Sequence, residues 1–277
     1  MPYPVHIERD TVYRRAEGYW CHAPSSRPLP VVRLLAKTAK RRPLALAMDI
    51  YLPEGAPDGK RPLLLMLHGG AYLIGNKEEK GQAGWCRHFA SLGYVAVSVD
   101  YRLGFFPSRS GLARAETDAV SDCAEALNCL LAREDLRTDP DRVFVAGTSA
   151  GGAIALTLAY DPPGNMPPCR IRAVGNLWGY VRDLDILKNA RVPILSFQSV
   201  QDPAVPYREG FLLGLRIAGR AYGTMAVHDR ATALGIRAEH YPVPQKGHRL
   251  HLDAQDRLTP LFYDIRDALT DFFAREL

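Results

Sequence analysis

The chain reads "RVFVAGTSAGGAIALTLAY" at residues 142–160, where an apolar strand-like run passes through small residues into an apolar helix-like run. A lone serine, Ser149, lies at the change of pattern, between Gly147 and Gly151. Glycines permit a tight turn that places the serine in strained dihedrals, as a nucleophile requires. A serine that merely caps the helix is the alternative. Because a serine hydroxyl is a poor nucleophile at neutral pH, a catalytic interpretation requires a base, an acid and an oxyanion site elsewhere in the chain.

The composition of the chain is that of an ordinary soluble globular protein. The chain has 277 residues, of which 47% are hydrophobic and 23% charged, as in ordinary soluble globular proteins. Thirty-five Lys and Arg against 30 Asp and Glu give a net charge of +5. The densest basic run, "KTAKRR" at 37–42, is typical of a solvated loop, so we expect no nucleic-acid partner.

The cysteines and the apolar runs limit the metal, redox and membrane options. Five cysteines form no CxxC pair and no Cys/His spacing that suits zinc, so no metal is expected; they are Cys21, Cys86, Cys123, Cys129 and Cys169. Their odd number favours reduced thiols and leaves one or two disulfides open. No run approaches the roughly 18 apolar residues of a membrane span, and no export signal is visible. A mature chain whose signal had been removed would look the same, so the compartment stays open, as does the oligomeric state.

Short apolar runs alternate with helical patterns along most of the chain. The predicted strands are 46–53, 62–69, 94–101, 142–147, 172–179, 193–199 and 237–244. The predicted helices are 84–92, 115–134, 150–160, 207–218, 222–234 and 258–275. The pattern predicts an α/β fold with a mostly parallel central sheet and helices on both faces. We expect a single domain over residues 1–277, with strand 46–53 as an antiparallel edge and an irregular segment, 1–43, packed on the sheet.

The acid candidate follows a strand. In such sheets, sites form at the carboxyl ends of the strands. Asp202 leaves strand 193–199 in "VQDPAVP", where Pro203 stops the strand from continuing. Asp183 and Asp185 are rivals, but they precede that strand and resemble surface residues. The pattern favours Asp202.

The base candidate also follows a strand. His248 comes after strand 237–244 in "QKGHRLH", and Gly247 allows a sharp loop before it. His251 is the nearest competitor, and His240 lies within the strand. We favour His248 as the base.

The stretch "HGGAY" at 68–72 closes another strand and supplies a candidate oxyanion site. An oxyanion must be held by backbone donors that no side chain blocks, and a Gly-Gly pair lets the chain turn its amides inward. His68 is a second base candidate, although a hydrogen bond that rigidifies the loop is its favoured role.

The order Ser149, Asp202, His248, with the HGG element upstream, is the order that the α/β-hydrolase fold produces. With "SVDYRLG" at 98–104 and "DPDRVFVAGTSAGG" at 139–152, the chain resembles the α/β-hydrolase superfamily over about residues 44–277, and specifically its HGG-bearing esterase branch of carboxylesterases and feruloyl or acetyl-xylan esterases.

The resemblance implies where the oxyanion donors lie. It assigns the backbone amides of Gly70, Ala71 and Ala150 to the oxyanion hole. Many relatives have a third glycine where this chain has Ala71. A backbone donor survives that change, so we expect a working hole beside a slightly narrower pocket.

The cleft walls are predicted from aromatic residues in loops. Only about a dozen residues separate "NLWG" from "PILSFQS", so a minimal lid and an open cleft are expected. Candidate substrate contacts are Tyr72, Phe105, Phe106 and Trp178. For each of them, ordinary packing is the alternative.

These observations predict a serine carboxylic-ester hydrolase that acts through an acyl-enzyme and needs no cofactor. The expected substrates are short-chain or aromatic acyl esters of carbohydrates. An arylformamidase-like amide hydrolase, built from the same parts, is the nearest alternative. A non-catalytic binding module is disfavoured because the chain keeps nucleophile, base and acid.

Overall fold

The computed structural model describes residues 2–23 and 38–277. Its strands are β1 (Val5–Gly18), β2 (Arg42–Pro53), β3 (Arg61–Leu67), β4 (Val95–Val99), β5 (Thr138–Thr148), β6 (Ile171–Leu177), β7 (Ile194–Ser199), β8 (Glu209–Phe211), β9 (Arg220–Tyr222) and β10 (Ala238–Val243). Its helices are α1 (Lys80–Ser91), α2 (Arg109–Ala132), α3 (Ala150–Tyr160), α4 (Thr224–Ala233) and α5 (Pro260–Ala274).

Eight of the strands form one sheet, in the order β1-β2-β4-β3-β5-β6-β7-β10. β1 is antiparallel to β2, and β2 is antiparallel to β4. The other six strands of the sheet run parallel to one another; they are β4, β3, β5, β6, β7 and β10. The predicted α/β class with a mostly parallel sheet is confirmed. The carboxyl ends of β5 and β7 therefore lie at the same edge of the sheet, where sites form in such folds.

The central strands are apolar on both faces because both faces are covered by helices. In β3, Leu63, Leu65 and Leu67 pack into one apolar cluster, which includes residues of α2 and α3. Leu64 and Met66 point the other way, into a second cluster with residues of α1 and α5. All five side chains are fully buried, and each such side chain contributes about 1.5–3 kcal/mol to folding.

The N-terminal segment differs from its prediction. Val5–Gly18 is a strand of 14 residues that pairs antiparallel with β2, so the irregular segment predicted over 1–43 is wrong there. β1 is the edge strand, and the predicted edge strand lies second. Irregularities in the pairing between Glu8 and Thr11, with a left-handed Asp10 (φ 56°), break the alternation that would have revealed the strand. Residues 24–37 of the predicted segment, with Met1, lie outside the described residues.

Residues 203–223, which we call the roof, also differ from their prediction. The helix predicted over 207–218 is wrong, because β8 and β9 form an antiparallel hairpin there, joined by two short 3₁₀ turns. Gly214 and Gly219, at φ 66° and 77°, adopt left-handed conformations that interrupt helical geometry. The leucines of this segment follow a turn rather than one face of a helix. As expected, no bulky insertion lies between β6, which ends at Leu177, and β7, which begins at Ile194. The roof, which follows β7, supplies part of the wall of the cavity beside Ser149.

The structure also shows the state of the cysteines and the character of the helices. All five cysteines are free thiols. Within residues 2–23 and 38–277, no helix combines the length and the apolar character needed to cross a bilayer.

Candidate active site

Ser149 occupies the sharp turn between β5 and α3. Its backbone is left-handed, with φ 54° and ψ −116°, which is costly for a residue with a side chain. The glycines make the turn possible: a side chain at Gly151 would collide with the carbonyl oxygen of Leu67, and one at Gly147 would collide with the backbone of Gly151. The small residues in "GTSAG" are thus a steric requirement of the turn that presents the Ser149 hydroxyl.

A hydrogen-bonded chain links the three residues that the sequence singled out. His248 Nε2 lies 2.8 Å from Ser149 Oγ. His248 Nδ1 lies 2.9 and 2.8 Å from the two carboxylate oxygens of Asp202. Since a carboxylate only accepts hydrogen bonds, Nδ1 donates to Asp202 and Nε2 is left to accept the Ser149 proton. The structure therefore brings acid, imidazole and hydroxyl together in the order that proton transfer requires.

The Asp202 carboxylate is fixed by more than the histidine. Its Oδ1 accepts hydrogen bonds from the backbone N–H groups of Ala204 (2.8 Å) and Val205 (3.1 Å). Its side chain is fully buried, whereas 20% of the His248 side chain is exposed. A buried carboxylate with several donors holds the imidazole in one orientation while leaving it reachable from the cleft.

The HGG loop follows β3 and faces the same turn. Gly70, Ala71 and Tyr72 have positive φ values of 107°, 52° and 59°. A side chain at Gly70 would collide with the carbonyl of Ile74, so this position requires glycine. Gly70 O accepts hydrogen bonds from the N–H groups of Leu73 and Ile74, at 2.9 and 3.0 Å, which pins the loop.

The three amides that the resemblance assigned to the oxyanion hole are available. Among the residues that the structure describes, no acceptor is found for the N–H groups of Gly70, Ala71 or Ala150. All three residues line the same cavity as Ser149. Unsatisfied backbone donors beside a nucleophile are the arrangement that stabilises an oxyanion.

His68 serves the loop rather than the hydroxyl. Its Nδ1 donates to Gly69 O at 2.7 Å, and its ring stacks on Tyr101 at a centroid distance of 4.3 Å. The Tyr101 hydroxyl in turn donates to His68 O at 2.7 Å. Burial lowers the pKa of His68 to about 4, so the ring stays neutral. Its contacts agree with a role in rigidifying the loop.

The other candidates for the base and the acid make contacts outside the hydrogen-bonded Asp202–His248–Ser149 chain. His251 is 1% exposed and stacks between Trp85 and Trp178, at centroid distances of 5.3 and 5.0 Å. His240 bonds the Tyr207 hydroxyl at 2.8 Å. The rival acids, Asp183 and Asp185, face outward. Asp183 caps a short 3₁₀ turn, and Asp185 pairs with Lys188 and Arg230.

Replacing His251 should change the pH dependence of stability. Burial lowers its pKa to about 3, and neither ring nitrogen has a hydrogen-bond partner among the described residues. Below about pH 6.5 the unfolded chain takes up a proton that the folded chain does not, so stability falls as pH falls, by at most about 1.4 kcal/mol per pH unit. Chemical unfolding should show that wild type loses about 2 kcal/mol more of its unfolding free energy than His251→Phe does between pH 7.0 and pH 4.5. The kcat of His251→Phe should stay within about tenfold of wild type. Equal losses in both proteins would show that the histidine is protonated when folded.

A cavity of about 530 Å³ opens beside Ser149. Tyr72, Phe105 and Trp178 line it, as predicted. Phe106 does not: it is 58% exposed and outside the cavity, so the prediction that it forms part of the cleft wall is wrong. Phe105 and Phe106 are neighbours in an irregular loop, and only Phe105 packs against the core.

Much of the cavity wall comes from the roof, which the sequence did not identify. The roof residues that line it are Ala204, Val205, Leu212, Leu213, Leu215, Ile217 and Ala218. Leu112 of α2 and Ile74 add further apolar side chains to the cavity wall. The run "FLLGLRI" at 211–217 contained the signal, but it was interpreted as a helix.

The cavity also has a polar end. Glu79, Arg249 and His251 line it together with His248. Burial raises the pKa of Glu79 to about 7, and the charge of Arg249 opposes that rise, which places the two charged groups near each other. Charged and hydrogen-bonding side chains therefore line the cavity beside His248, whereas the lining side chains of the roof are apolar.

Comparison with known proteins agrees with this architecture. Residues 48–165 match the family model named BD-FAE. Among curated proteins, the non-reducing polyketide synthase trt4 of Aspergillus terreus is 28% identical over 218 residues, which are 74% of this chain and 8% of that protein. The non-reducing polyketide synthase Preu3 of Preussia isomera is 37% identical over 125 residues, 42% of this chain and 5% of that protein. The chain thus spans less than a tenth of the length of these relatives.

Solved structures share the fold over most of the chain. The butyrate-bound esterase Est2 of the Planctomycetes species Thermogutta terrifontis superposes with a TM-score of 0.65 and 17% identity, covering 84% of this chain and 90% of the esterase. The same esterase phosphoramylated by tabun gives a TM-score of 0.64 and 19% identity, with the same coverage of both chains. The chain therefore has the α/β-hydrolase fold, and its residues 48–165 are similar to the BD-FAE family.

Proposed function

We propose that this protein cleaves carboxylic esters through an acyl-enzyme on Ser149, and that its substrates are short-chain or aromatic acyl esters of carbohydrates. The observation that carries the proposal is the continuous hydrogen-bonded chain from Asp202 through His248 to Ser149 Oγ. These hydrogen bonds end on the Ser149 hydroxyl, and Ser149 lines a cavity large enough for a small substrate.

The first half of the reaction follows from the positions of these groups. His248 Nε2 takes the Ser149 proton while Oγ attacks the ester carbonyl carbon. The N–H groups of Gly70, Ala71 and Ala150 stabilise the negative oxygen of the tetrahedral intermediate, an effect worth about 10²–10³ in kcat for each donor. When the intermediate collapses, His248 passes its proton to the leaving alcohol, and the acyl group stays on Ser149.

The second half repeats these steps with water. His248 removes a proton from water, which attacks the acyl carbonyl, and the same amides stabilise the second intermediate. The acid then leaves and Ser149 recovers its proton. Throughout, the Asp202 carboxylate keeps His248 Nδ1 protonated and stabilises the transient imidazolium without accepting its proton.

The two ends of the cavity suggest how an ester would bind. His248 must lie beside the leaving oxygen in order to protonate it, so the alcohol occupies the end that carries Glu79, Arg249 and His251. The acyl group then occupies the apolar end under the roof. Charged and hydrogen-bonding groups suit a hydroxylated alcohol such as a sugar, and leucine side chains suit a small apolar acyl group.

The structural relatives support a small acyl group and a reactive serine. Thermogutta terrifontis Est2 has been seen with butyrate and with propionate bound. The same esterase is phosphorylated by paraoxon. By analogy, we expect this chain to accept acids of that size and to react with organophosphates.

A panel of esters tests the proposed substrate class. Under non-micellar conditions, para-nitrophenyl acetate and butyrate should exceed octanoate in kcat/KM by about tenfold or more, since one poorly accommodated methylene is worth roughly 1–3 kcal/mol. Methyl ferulate and acetylated xylan test the aromatic acyl group and the carbohydrate alcohol.

Two results would contradict the substrate assignment. Turnover of N-formylkynurenine without turnover of any ester would indicate the amide hydrolase. Octanoate turnover faster than that of acetate and butyrate would show that the roof does not limit the acyl group. Ser149→Ala, assayed on every substrate, controls for a contaminating hydrolase.

A further inference from the structure

We propose that Arg182 is a positioning residue that fastens the roof over the cavity and thereby sets the size of the acyl group that the enzyme accepts. The proposal rests on the proposed function, because it concerns the acyl end of the same site. Arg182 itself does not line the cavity, so it acts through the residues that it holds.

Arg182 binds the roof through backbone carbonyls. Its Nη1 donates to Ala218 O at 2.9 Å and to Arg220 O at 2.8 Å. Ala218 is itself a lining residue and ends the second 3₁₀ turn of the roof. One guanidinium nitrogen therefore holds the stretch of backbone that carries the apolar wall.

The rest of the guanidinium is anchored to helix α2. Its Nε lies 3.1 and 3.3 Å from the two Glu116 oxygens, and its Nη2 lies 2.6 Å from Oε1. The side chains are only partly exposed, 33% for Arg182 and 19% for Glu116. A forked arginine–carboxylate contact with limited solvent access fixes both partners more strongly than a surface ion pair does.

The same carboxylate reaches the catalytic loop. The Tyr180 hydroxyl donates to Glu116 Oε1 at 2.7 Å, and the Arg182 guanidinium lies 5.1 Å from the centre of the Tyr180 ring. The Tyr180 and Tyr72 hydroxyls are 3.5 Å apart, and both rings line the cavity. Arg182, Glu116, Tyr180 and Tyr72 thus connect the roof to the HGG loop.

The base of the roof has a separate attachment. Val181 and Tyr222 exchange two backbone hydrogen bonds, Val181 N to Tyr222 O at 3.0 Å and Tyr222 N to Val181 O at 2.9 Å. Loss of the Arg182 side chain would leave this base in place. The carbonyls of Ala218 and Arg220 would lose their partner, and the partly buried Glu116 carboxylate would lose its counter-charge. We therefore expect the part of the roof around Ala218 and Arg220 to become more mobile while the fold persists.

A loosened roof should relax acyl selectivity and spare the chemistry. In Arg182→Met, the ratio of kcat/KM for para-nitrophenyl butyrate to that for the octanoate should fall by about tenfold, mainly through a lower KM for octanoate. The kcat for acetate should stay within about threefold of wild type. The HGG loop keeps its own hydrogen bonds from Leu73 and Ile74 to Gly70 O, and acetate needs little of the acyl pocket. Arg208→Met is the matched control: Arg208 lies in the same roof, is 63% exposed and pairs with Asp229 away from the cavity, so its ratio should not change.

One further measurement and a second variant keep the test decisive. Thermal unfolding identifies a variant that fails to fold. In that case Arg182→Lys, which keeps the charge beside Glu116 but not the fork, takes its place and should show an intermediate ratio. An unchanged ratio in a folded Arg182 variant would overturn the proposal, as would an equal loss of kcat for all acyl lengths, which would indicate a general structural role.

Labelling by a fluorophosphonate separates this proposal from the proposed function. If wild type is labelled on Ser149 and hydrolyses esters, but the butyrate-to-octanoate ratio does not respond to Arg182, only the positioning role fails. If wild type is neither labelled nor active on esters, the proposed function fails and this proposal fails with it.

Discussion

Ser149→Ala should reduce ester turnover on the order of a millionfold, to the level that remains when a hydroxyl nucleophile is removed from such a triad. The hydroxyl is the only group of Ser149 that the mechanism uses, and it lies 2.8 Å from His248 Nε2. Alanine keeps the Cβ atom in the left-handed turn, so the backbone strain should be the same in both proteins. Turnover of para-nitrophenyl butyrate by purified wild type and variant measures the effect.

The control for this variant is its fold. Ser149→Ala should unfold within a few degrees of the wild-type midpoint, and it should still bind the butyrate product, since the cavity wall is unchanged. A folded variant with activity within tenfold of wild type would contradict the assignment of Ser149 as the nucleophile.

His248→Ala should lower kcat about as far as Ser149→Ala, because nucleophile and base act as one unit. For the same reason the double variant should be no slower than either single variant. Asp202→Asn should cost about 10⁴-fold, since an amide can stabilise the wrong imidazole tautomer. Single-turnover and steady-state kinetics with an activated ester measure all three variants.

His251 provides the matched comparison for the base. It lies three residues from His248 and lines the same cavity, yet it has no hydrogen bond to Ser149 or Asp202 in the described structure. His251→Phe should keep kcat within about tenfold of wild type. A larger loss of kcat in His251→Phe than in His248→Ala would move the role of the base to His251.

The parts of the fold that could be predicted from sequence are those that local chemistry determines. Five residues of β3, Leu63 to Leu67, are buried on both faces, and such continuous apolar runs are typical of a parallel sheet. Gly147 and Gly151 indicated the turn because no other residue fits against Leu67 and its neighbours. Pro203 and Gly247 mark the loops that follow β7 and β10, which is why Asp202 and His248 could be selected from their rivals.

The parts that could not be predicted depend on tertiary contacts. The roof contains leucines at spacings that suit a helix, but Gly214, Gly219 and the bonds from Arg182 to the roof carbonyls impose a hairpin instead. β1 was missed because its irregular pairing near Asp10 breaks the alternation of a strand. No local pattern distinguishes Phe105, which faces the cavity, from Phe106, which faces solvent.

The central claim is that Ser149 forms a covalent acyl-enzyme with His248 as its base, and mass spectrometry of the intact protein tests it most directly. After incubation with a fluorophosphonate, wild type should gain the mass of one adduct, and peptide mapping should place that adduct on Ser149. Ser149→Ala should gain none, and His248→Ala should react far more slowly. An adduct on a residue other than Ser149 would contradict the role of Ser149 as the nucleophile. So would the absence of any adduct in wild-type protein that hydrolyses esters, if Ser149→Ala loses that activity only because it unfolds.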